Sequence, residues 1–163
     1  IDSGYPIFAA VQGWVGPDGA DQDFIYADGW HEVKSVGVAA SSVTISSLEQ
    51  LDNSDPGELV VMFIDKCAPE RGGAVSLGEQ VDLTLARVHE DGDALSLLES
   101  KLMRYGYIDL PEYREQKYVC SGRARFLVDA DFPRLTADTV TPQIIAAQYS
   151  ISLAGIEGWR VED

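Results

Sequence analysis

Residues 21–35 read Asp-Gln-Asp-Phe-Ile-Tyr-Ala-Asp-Gly-Trp-His-Glu-Val-Lys-Ser, and this stretch decides the fold. Its Asp28-Gly29 pair lies between two runs rich in aromatic and β-branched residues, which is a strong signal for a β-hairpin. With Asp28-Gly29 as a two-residue loop, Asp23 lies opposite Lys34. Because side chains alternate across a strand, Asp23, Glu32 and Lys34 are predicted to share one face of the hairpin.

This shared face has the composition of a metal site. Two carboxylates beside one ammonium can hold Mg²⁺ and still present a cation to a phosphate. Asp21 is predicted at the edge of the patch. Lys34 is predicted at an open cleft, where its ion pairs would contribute little to stability. Similar acidic-x-Lys triplets at 99–101 and 115–117 lack an aspartate on a paired strand. An exposed, charge-paired hairpin with no chemical role is the alternative interpretation of the same residues.

Asp23 is followed after eight residues by Glu32-Val33-Lys34, and this arrangement resembles the core of the PD-(D/E)XK nuclease superfamily. Gln22 stands where the name of the motif has proline. A wider set of motifs is similar to the "PD-(D/E)XK motif protein" family, which is linked to prokaryotic antiphage defence loci. The similarity is to the C-terminal part of that family, because its members usually carry a glutamate-bearing helix ahead of this point. The motifs are Gly13-Trp14, Gly16-Pro17, Asp23-Phe24 and residues 32–35, 45–51, 132–135 and 144–153.

The resemblance implies an α/β fold of the restriction-endonuclease type, with a mixed sheet, flanking helices and a C-terminal α/β extension. Residues 1–70 would form the nuclease-like core that carries the hairpin. Residues 71–163 would form a family-specific half of helices and strands packed on the same domain. The implied function is metal-dependent endonuclease hydrolysis of DNA phosphodiester bonds in antiphage or restriction defence. DNA and other defence-system proteins are then the expected partners.

The resemblance also implies which residues act. Asp23 and Glu32 would bind Mg²⁺ or Mn²⁺, and the Val33 carbonyl would add a ligand. Lys34 would be catalytic, either by orienting the attacking water or by stabilising charge in the transition state.

Gln50 is a further catalytic candidate, and two interpretations of it remain open. Ser46 and Glu49 have the spacing of a capping box that begins one helical turn after a short strand at 43–45. Gln50 follows Ser46 on that turn. It either points back toward the metal patch or is a capped residue on the surface.

The formal net charge of -15 argues against a surface that grips DNA. Residues 1–70 carry twelve acidic side chains against two lysines, whereas a duplex-binding protein neutralises several phosphates with Lys and Arg. A non-catalytic interaction module, whose acidic face docks a basic partner protein, is therefore the alternative function. A basic cluster, predicted as either a phosphate contact or a solvated strand face, comprises Arg114, Lys117, Arg123, Arg125 and Arg134.

Length and composition predict one domain in the cytoplasm. No run of about 18 apolar residues is present to span a membrane, and the N-terminus has no features of a signal peptide. Cys67 and Cys120 are expected to be reduced thiols.

Periodicity places the remaining elements. A central strand at 59–64 is predicted to be buried on both faces, because every residue in the run is apolar. Two helices follow, the first capped by Ser76 with Glu79, the second capped by Asp93 and ended by Gly106. The other predicted elements are a helix within 5–15, a polar connection at 108–116, a strand at 118–128 and a last strand within 144–153.

Overall fold

The computed structural model describes residues 4–162, and the interpretation of the N-terminus falls partly on residues 1–3, outside that range. The chain is a mixed α/β protein, as predicted. It divides into two compact units, each made of two separated segments. The first unit comprises Ile1–Ala20 and Asp65–Cys120, and the second unit comprises Asp21–Ile64 and Ser121–Asp163.

The helices and strands of the described residues alternate irregularly along the chain. The α-helices are α1 (Ile7–Gln12), α2 (Leu77–Val88), α3 (Gly92–Tyr105) and α4 (Pro111–Glu115). The strands are β1 (Phe24–Tyr26), β2 (Gly29–Val36), β3 (Ser42–Ile45), β4 (Gly57–Cys67), β5 (Val75–Ser76), β6 (Lys117–Val128), β7 (Tyr149–Ser152) and β8 (Arg160–Val161). The short elements α4, β5 and β8 carry too few residues to show a period, and the sequence did not predict them.

Strand pairing builds a mixed sheet, because β2 has neighbours of both directions. β1 pairs with β2 antiparallel, and β4 pairs with β2 parallel. In the second unit the hydrogen-bonded strands lie in the order β1-β2-β4-β6, with β8 also paired to β6, so β4 is a central strand, as predicted. In the first unit, β5 pairs antiparallel with the start of β6. β3 and β7 form a separate antiparallel pair.

The core of the second unit lies on one face of this sheet. Leu59 and Val61 of β4 have no exposed surface, and Trp30 of β2 is also fully buried. The alternate residues Val60 and Met62 are only partly buried. The prediction of two buried faces for this strand is therefore correct for one face. The rest of the core comes from β3, β6, β7 and the segments beside them: Val43, Ile45, Leu51, Ala124, Phe126, Val128, Phe132, Ile151 and Ile156.

The first unit carries the helices, and their ends follow local capping chemistry. The predicted capping box begins α2, because Ser76 and Glu79 each accept the backbone N–H of the other. α3 is capped by Asp91, not by the predicted Asp93, since the Asp91 carboxylate accepts an N–H of the first turn. Gly106 ends α3 in the left-handed conformation, as predicted.

A buried lysine joins α3 to the segment after α1. Lys101 is 3% exposed, and its ammonium donates to the carbonyls of Gln12 and Trp14 and to the carboxylate of Asp18. Arg104 pairs with the same carboxylate. The hydrogen bond from Lys101 is the main cause that lowers the pKa of Asp18. None of the helices among the described residues has the length and apolarity that a membrane crossing needs.

Candidate functional site

The hairpin of β1 and β2 turns one residue earlier than predicted. Tyr26 pairs with Gly29, so the loop is formed by residues 27–28. Gly29 has φ 152°, an angle that favours glycine, and it begins β2 instead of closing the loop. The pairing is therefore two residues away from the predicted register, in which Asp23 lay opposite Lys34. A slip of two residues keeps each side chain of the paired strands on its predicted face, so Glu32 and Lys34 still share one face of β2.

Asp23 is held against the backbone of β2. Its Oδ2 accepts the N–H of Val33, with 2.9 Å between the two atoms. Asp23 precedes β1, so this bond extends the hairpin beyond its last backbone pair, Phe24 with His31. Because the N–H and C=O of one strand residue point to the same edge, the Val33 carbonyl lies on the edge of β2 that Asp23 occupies.

Glu32 and Lys34 form an ion pair on the core face of β2. Lys34 Nζ lies 2.7 Å from Glu32 Oε1, and their side chains are 16% and 2% exposed. The prediction of an open cleft around Lys34 is wrong, because β2 turns this face toward the core of the second unit. Burial raises the pKa of Glu32 to about 7, against the opposing effect of the hydrogen bond from Lys34 and with a further contribution from the charge of Asp23.

Gln50 points into the site from the 3₁₀ turn Glu49–Leu51. Its Oε1 accepts from Lys34 Nζ at 2.9 Å and from the backbone N–H of Ser46 at 2.8 Å. The predicted capping box does not begin this turn, which has no side-chain cap. Of the two interpretations left open by the sequence, the one that directs Gln50 toward the patch is correct.

The donor chemistry of this site fits a hard divalent cation. Asp23 and Glu32 offer carboxylate oxygens, the ligands that Mg²⁺ prefers, and a cation would offset the like charge that helps raise the pKa of Glu32. Between residues 4 and 162, no group of three or more His, Cys, Asp and Glu side chains is placed to hold a metal ion. The Val33 carbonyl and water would therefore have to complete the coordination. Asp21 is exposed.

The opposite face of β2 carries a separate polar cluster, which sequence reasoning did not find. His31 lies there, with Nδ1 3.4 Å from Glu58 Oε2. Arg125 donates to both oxygens of Glu58, at 2.9 and 2.7 Å, and the ring of Tyr26 contacts His31 edge-on. These contacts give His31 a packing role on its own face of the strand.

The residues of the predicted basic cluster are engaged by other parts of the chain. Arg123 also interacts with other residues. A carboxylate that is paired with a guanidinium or an ammonium competes with a phosphate for the same cation. The pairings of these residues therefore do not support the prediction of a phosphate contact. The partners are Asp82 and Asp109 for Arg114, Glu79 for Lys117, Glu58 for Arg125, and the Leu51 carbonyl for Arg134.

Comparison with known proteins agrees with the motifs. A search of the curated proteins and a search of the solved structures each found no match to this chain. A family model described as "Putative PD-(D/E)XK family member, (DUF4420)" matches residues 1–154, a span that includes all five candidate site residues. The mixed α/β architecture is consistent with a PD-(D/E)XK fold. The resemblance found in the sequence is therefore confirmed, and the chain belongs to the PD-(D/E)XK family described as DUF4420.

Proposed function

We propose that this chain is a metal-dependent nuclease that hydrolyses DNA phosphodiester bonds, within an antiphage or restriction system. The observation that supports the proposal is the set of contacts around residues 32–34 of β2: Lys34 contacts Glu32 and Gln50, and Asp23 accepts the N–H of Val33. Two carboxylates and an ammonium are the groups that metal-assisted phosphoryl chemistry uses. Membership of the PD-(D/E)XK family supports a nuclease-like fold for the residues that hold them.

Lys34 is the charged donor of the proposed site. An ammonium has three N–H donors, and Glu32 and Gln50 take two of them. The third has no partner among residues 4–162 and is available to a phosphate oxygen or a water. Gln50 accepts from the Lys34 ammonium, so its part in the proposed reaction is to hold the ammonium in one position.

Asp23 and Glu32 would hold Mg²⁺ or Mn²⁺, with the Val33 carbonyl as a further ligand. A bound divalent ion supplies Lewis-acid stabilisation of phosphate charge and lowers the pKa of water. Glu32 has to be ionised to act as a ligand, and its pKa of about 7 means that it loses its proton near neutral pH. Asp23 keeps one oxygen on the Val33 N–H, which fixes the carboxylate in place.

Cleavage of plasmid DNA in the presence of Mg²⁺ or Mn²⁺ tests this function. Lys34→Ala is expected to lower the rate by about 10²–10³-fold, the usual effect of deleting one donor to transition-state charge. Asp23→Asn is expected to abolish metal-dependent cleavage. Lys66→Ala and Asp28→Asn, at exposed positions, are matched controls that keep full activity. Full cleavage by Lys34→Ala and Asp23→Asn would overturn the proposal.

The charge of the molecule favours a second candidate, an interaction module that docks a basic partner protein. Four arginines and lysines of the predicted basic cluster have acceptors within their own chain, while the net charge is -15. Metal binding separates the two functions. A two-carboxylate site should saturate at about millimolar Mg²⁺ and raise the melting temperature by mass action. A melting temperature that does not respond to Mg²⁺ or Mn²⁺ would favour the interaction module.

A further inference from the structure

Gln22 is a buried amide beside the site, at the position where the PD-(D/E)XK motif has proline. The residue is 6% exposed, and its side-chain Nε2 donates to the carbonyl of Glu49 at 3.0 Å. The same carbonyl accepts the backbone N–H of Asp52 within the 3₁₀ turn. A proline at residue 22 has no donor and could not make this bond.

The bond from Gln22 completes a closed ring of contacts around the site. Gln22 is joined by the chain to Asp23, whose carboxylate binds the Val33 N–H. Val33 is joined by the chain to Lys34, whose ammonium binds Gln50. Gln50 follows Glu49, which accepts from Gln22. Three hydrogen bonds and three pairs of adjacent residues thus link the carboxylate, the strand and the turn.

We infer that Gln22 is a positioning residue, which fixes the distance between the Asp23 carboxylate and the Lys34–Gln50 pair. This role rests on the proposed function, because it matters for catalysis only if Asp23 and Lys34 act together. Asp23 precedes the first backbone pair of β1, so the hairpin ladder alone does not hold it. With Gln22 bound to the turn, Asp23 is tied on one side to β2 and on the other to the turn that holds Lys34.

The variant that tests the inference is Gln22→Met, which keeps the length of the side chain and removes the donor. The Glu49 carbonyl retains its bond from Asp52, so the substitution leaves no buried acceptor unpaired. Gln116→Met is the matched control, because Gln116 also donates from Nε2 to a backbone carbonyl, that of Lys117 at 2.8 Å. Gln116 lies in the first unit, outside the ring.

Amide hydrogen exchange measures how firmly the hydrogen bonds of the ring are held, without any assay of activity. In Gln22→Met, the Val33 and Ser46 amides are expected to exchange at least about 10-fold faster, while the amides of β4 keep their rates. The Mn²⁺ concentration at half-saturation should rise about 10–100-fold, the usual effect of removing a group that orients a ligand. Gln116→Met should change neither quantity. Unchanged Val33 and Ser46 exchange in folded Gln22→Met would overturn the inference.

The inference about Gln22 can be tested even if the nuclease proposal fails or the Gln22→Met variant does not fold. If the wild-type chain binds no Mn²⁺ and cleaves no DNA, the nuclease proposal fails, and the exchange rates still decide whether Gln22 positions Asp23. If Gln22→Met does not fold, the side-chain amide protons of Gln22 in the wild-type chain decide the matter. They should exchange far more slowly than those of the exposed Gln143, and equal rates would overturn the inference.

Discussion

Lys34 Nζ lies 2.7 Å from Glu32 Oε1 on the core face of β2, where Glu32 is 1% exposed. The lysine of the candidate site thus neutralises a carboxylate that water hardly reaches. The proposed chemistry and the folding stability therefore both involve this contact.

Removing the lysine is expected to destabilise the fold in a pH-dependent way. In Lys34→Met, Glu32 loses its ion-pair partner, so its pKa should rise further above the wild-type value of about 7. At pH 5 Glu32 is protonated with or without Lys34, so the loss of stability should be larger at pH 8 than at pH 5, by up to about 1.4 kcal/mol. Urea denaturation at pH 5 and pH 8 measures both values, with Lys66→Met as the exposed control. Equal losses at the two pH values would contradict the buried pair.

Glu32 is expected to make the wild-type protein less stable as pH rises. Its pKa is raised from 4.5 in the unfolded chain to about 7 in the fold, so the folded state binds the extra proton. The contribution is complete below pH 4.5, is lost as pH rises to about 7 and is constant above that, with a total of about 3 kcal/mol. Glu32→Gln should remove this slope. Glu70→Gln, at an exposed position, should keep it; a slope that persists in Glu32→Gln would exclude Glu32 as its source.

Metal binding should depend on pH through the same group. Below pH 7 a cation has to displace the Glu32 proton, so affinity should increase as pH rises through about 7. The rise in melting temperature at a fixed Mg²⁺ concentration is expected to be larger at pH 8 than at pH 6. Asp23→Asn should remove the rise at both pH values, while Asp138→Asn, also exposed, should leave it intact. A rise that is the same at pH 6 and pH 8 would place the bound ion elsewhere.

The indole ring of Trp30 leaves no room for a side chain at residue 57, which is glycine. Trp30 and Gly57 are partners across β2 and β4, and a Cβ at residue 57 would overlap the indole ring. Gly57→Ala should destabilise the protein by about 1–3 kcal/mol through overpacking. Gly158→Ala, where a Cβ meets open space, is the control expected within about 0.5 kcal/mol of wild type. Equal stability of the two variants in thermal denaturation would show that β2 can move away from β4.

Much of the site was predictable, because alternation along a strand does not depend on register. The hairpin signal predicted Glu32 and Lys34 on one face of β2, and they share that face although the predicted loop was wrong. Gly29 has a φ of 152° and begins β2 instead of lying in the loop. An Asp-Gly pair indicates a turn, but the pair alone does not show whether its glycine lies in the loop or at the start of the next strand.

The burial of the site and the role of Gln22 needed the tertiary structure. Both faces of β4 appear equally apolar in the run 59–64, yet the flanking Glu58 and Arg125 keep one face polar. The partner of Gln22 is the Glu49 carbonyl, 27 residues away. No local sequence pattern predicts a side-chain hydrogen bond between residues so far apart. The only feature of the sequence that marked residue 22 was a glutamine where the motif has proline.

The pairing of β3 with β7 sets the time at which β3 can find its partner strand during synthesis. Thr44 and Ser150 are partners 106 residues apart, so β3 leaves the ribosome long before β7 exists. At about 5–20 residues per second, that interval lasts about 5–20 seconds. Throughout it, β3, the strand just ahead of Ser46, has no partner on the edge that β7 later occupies. A translational pause before β7 would lengthen the time for which that edge is open to pairing with another strand.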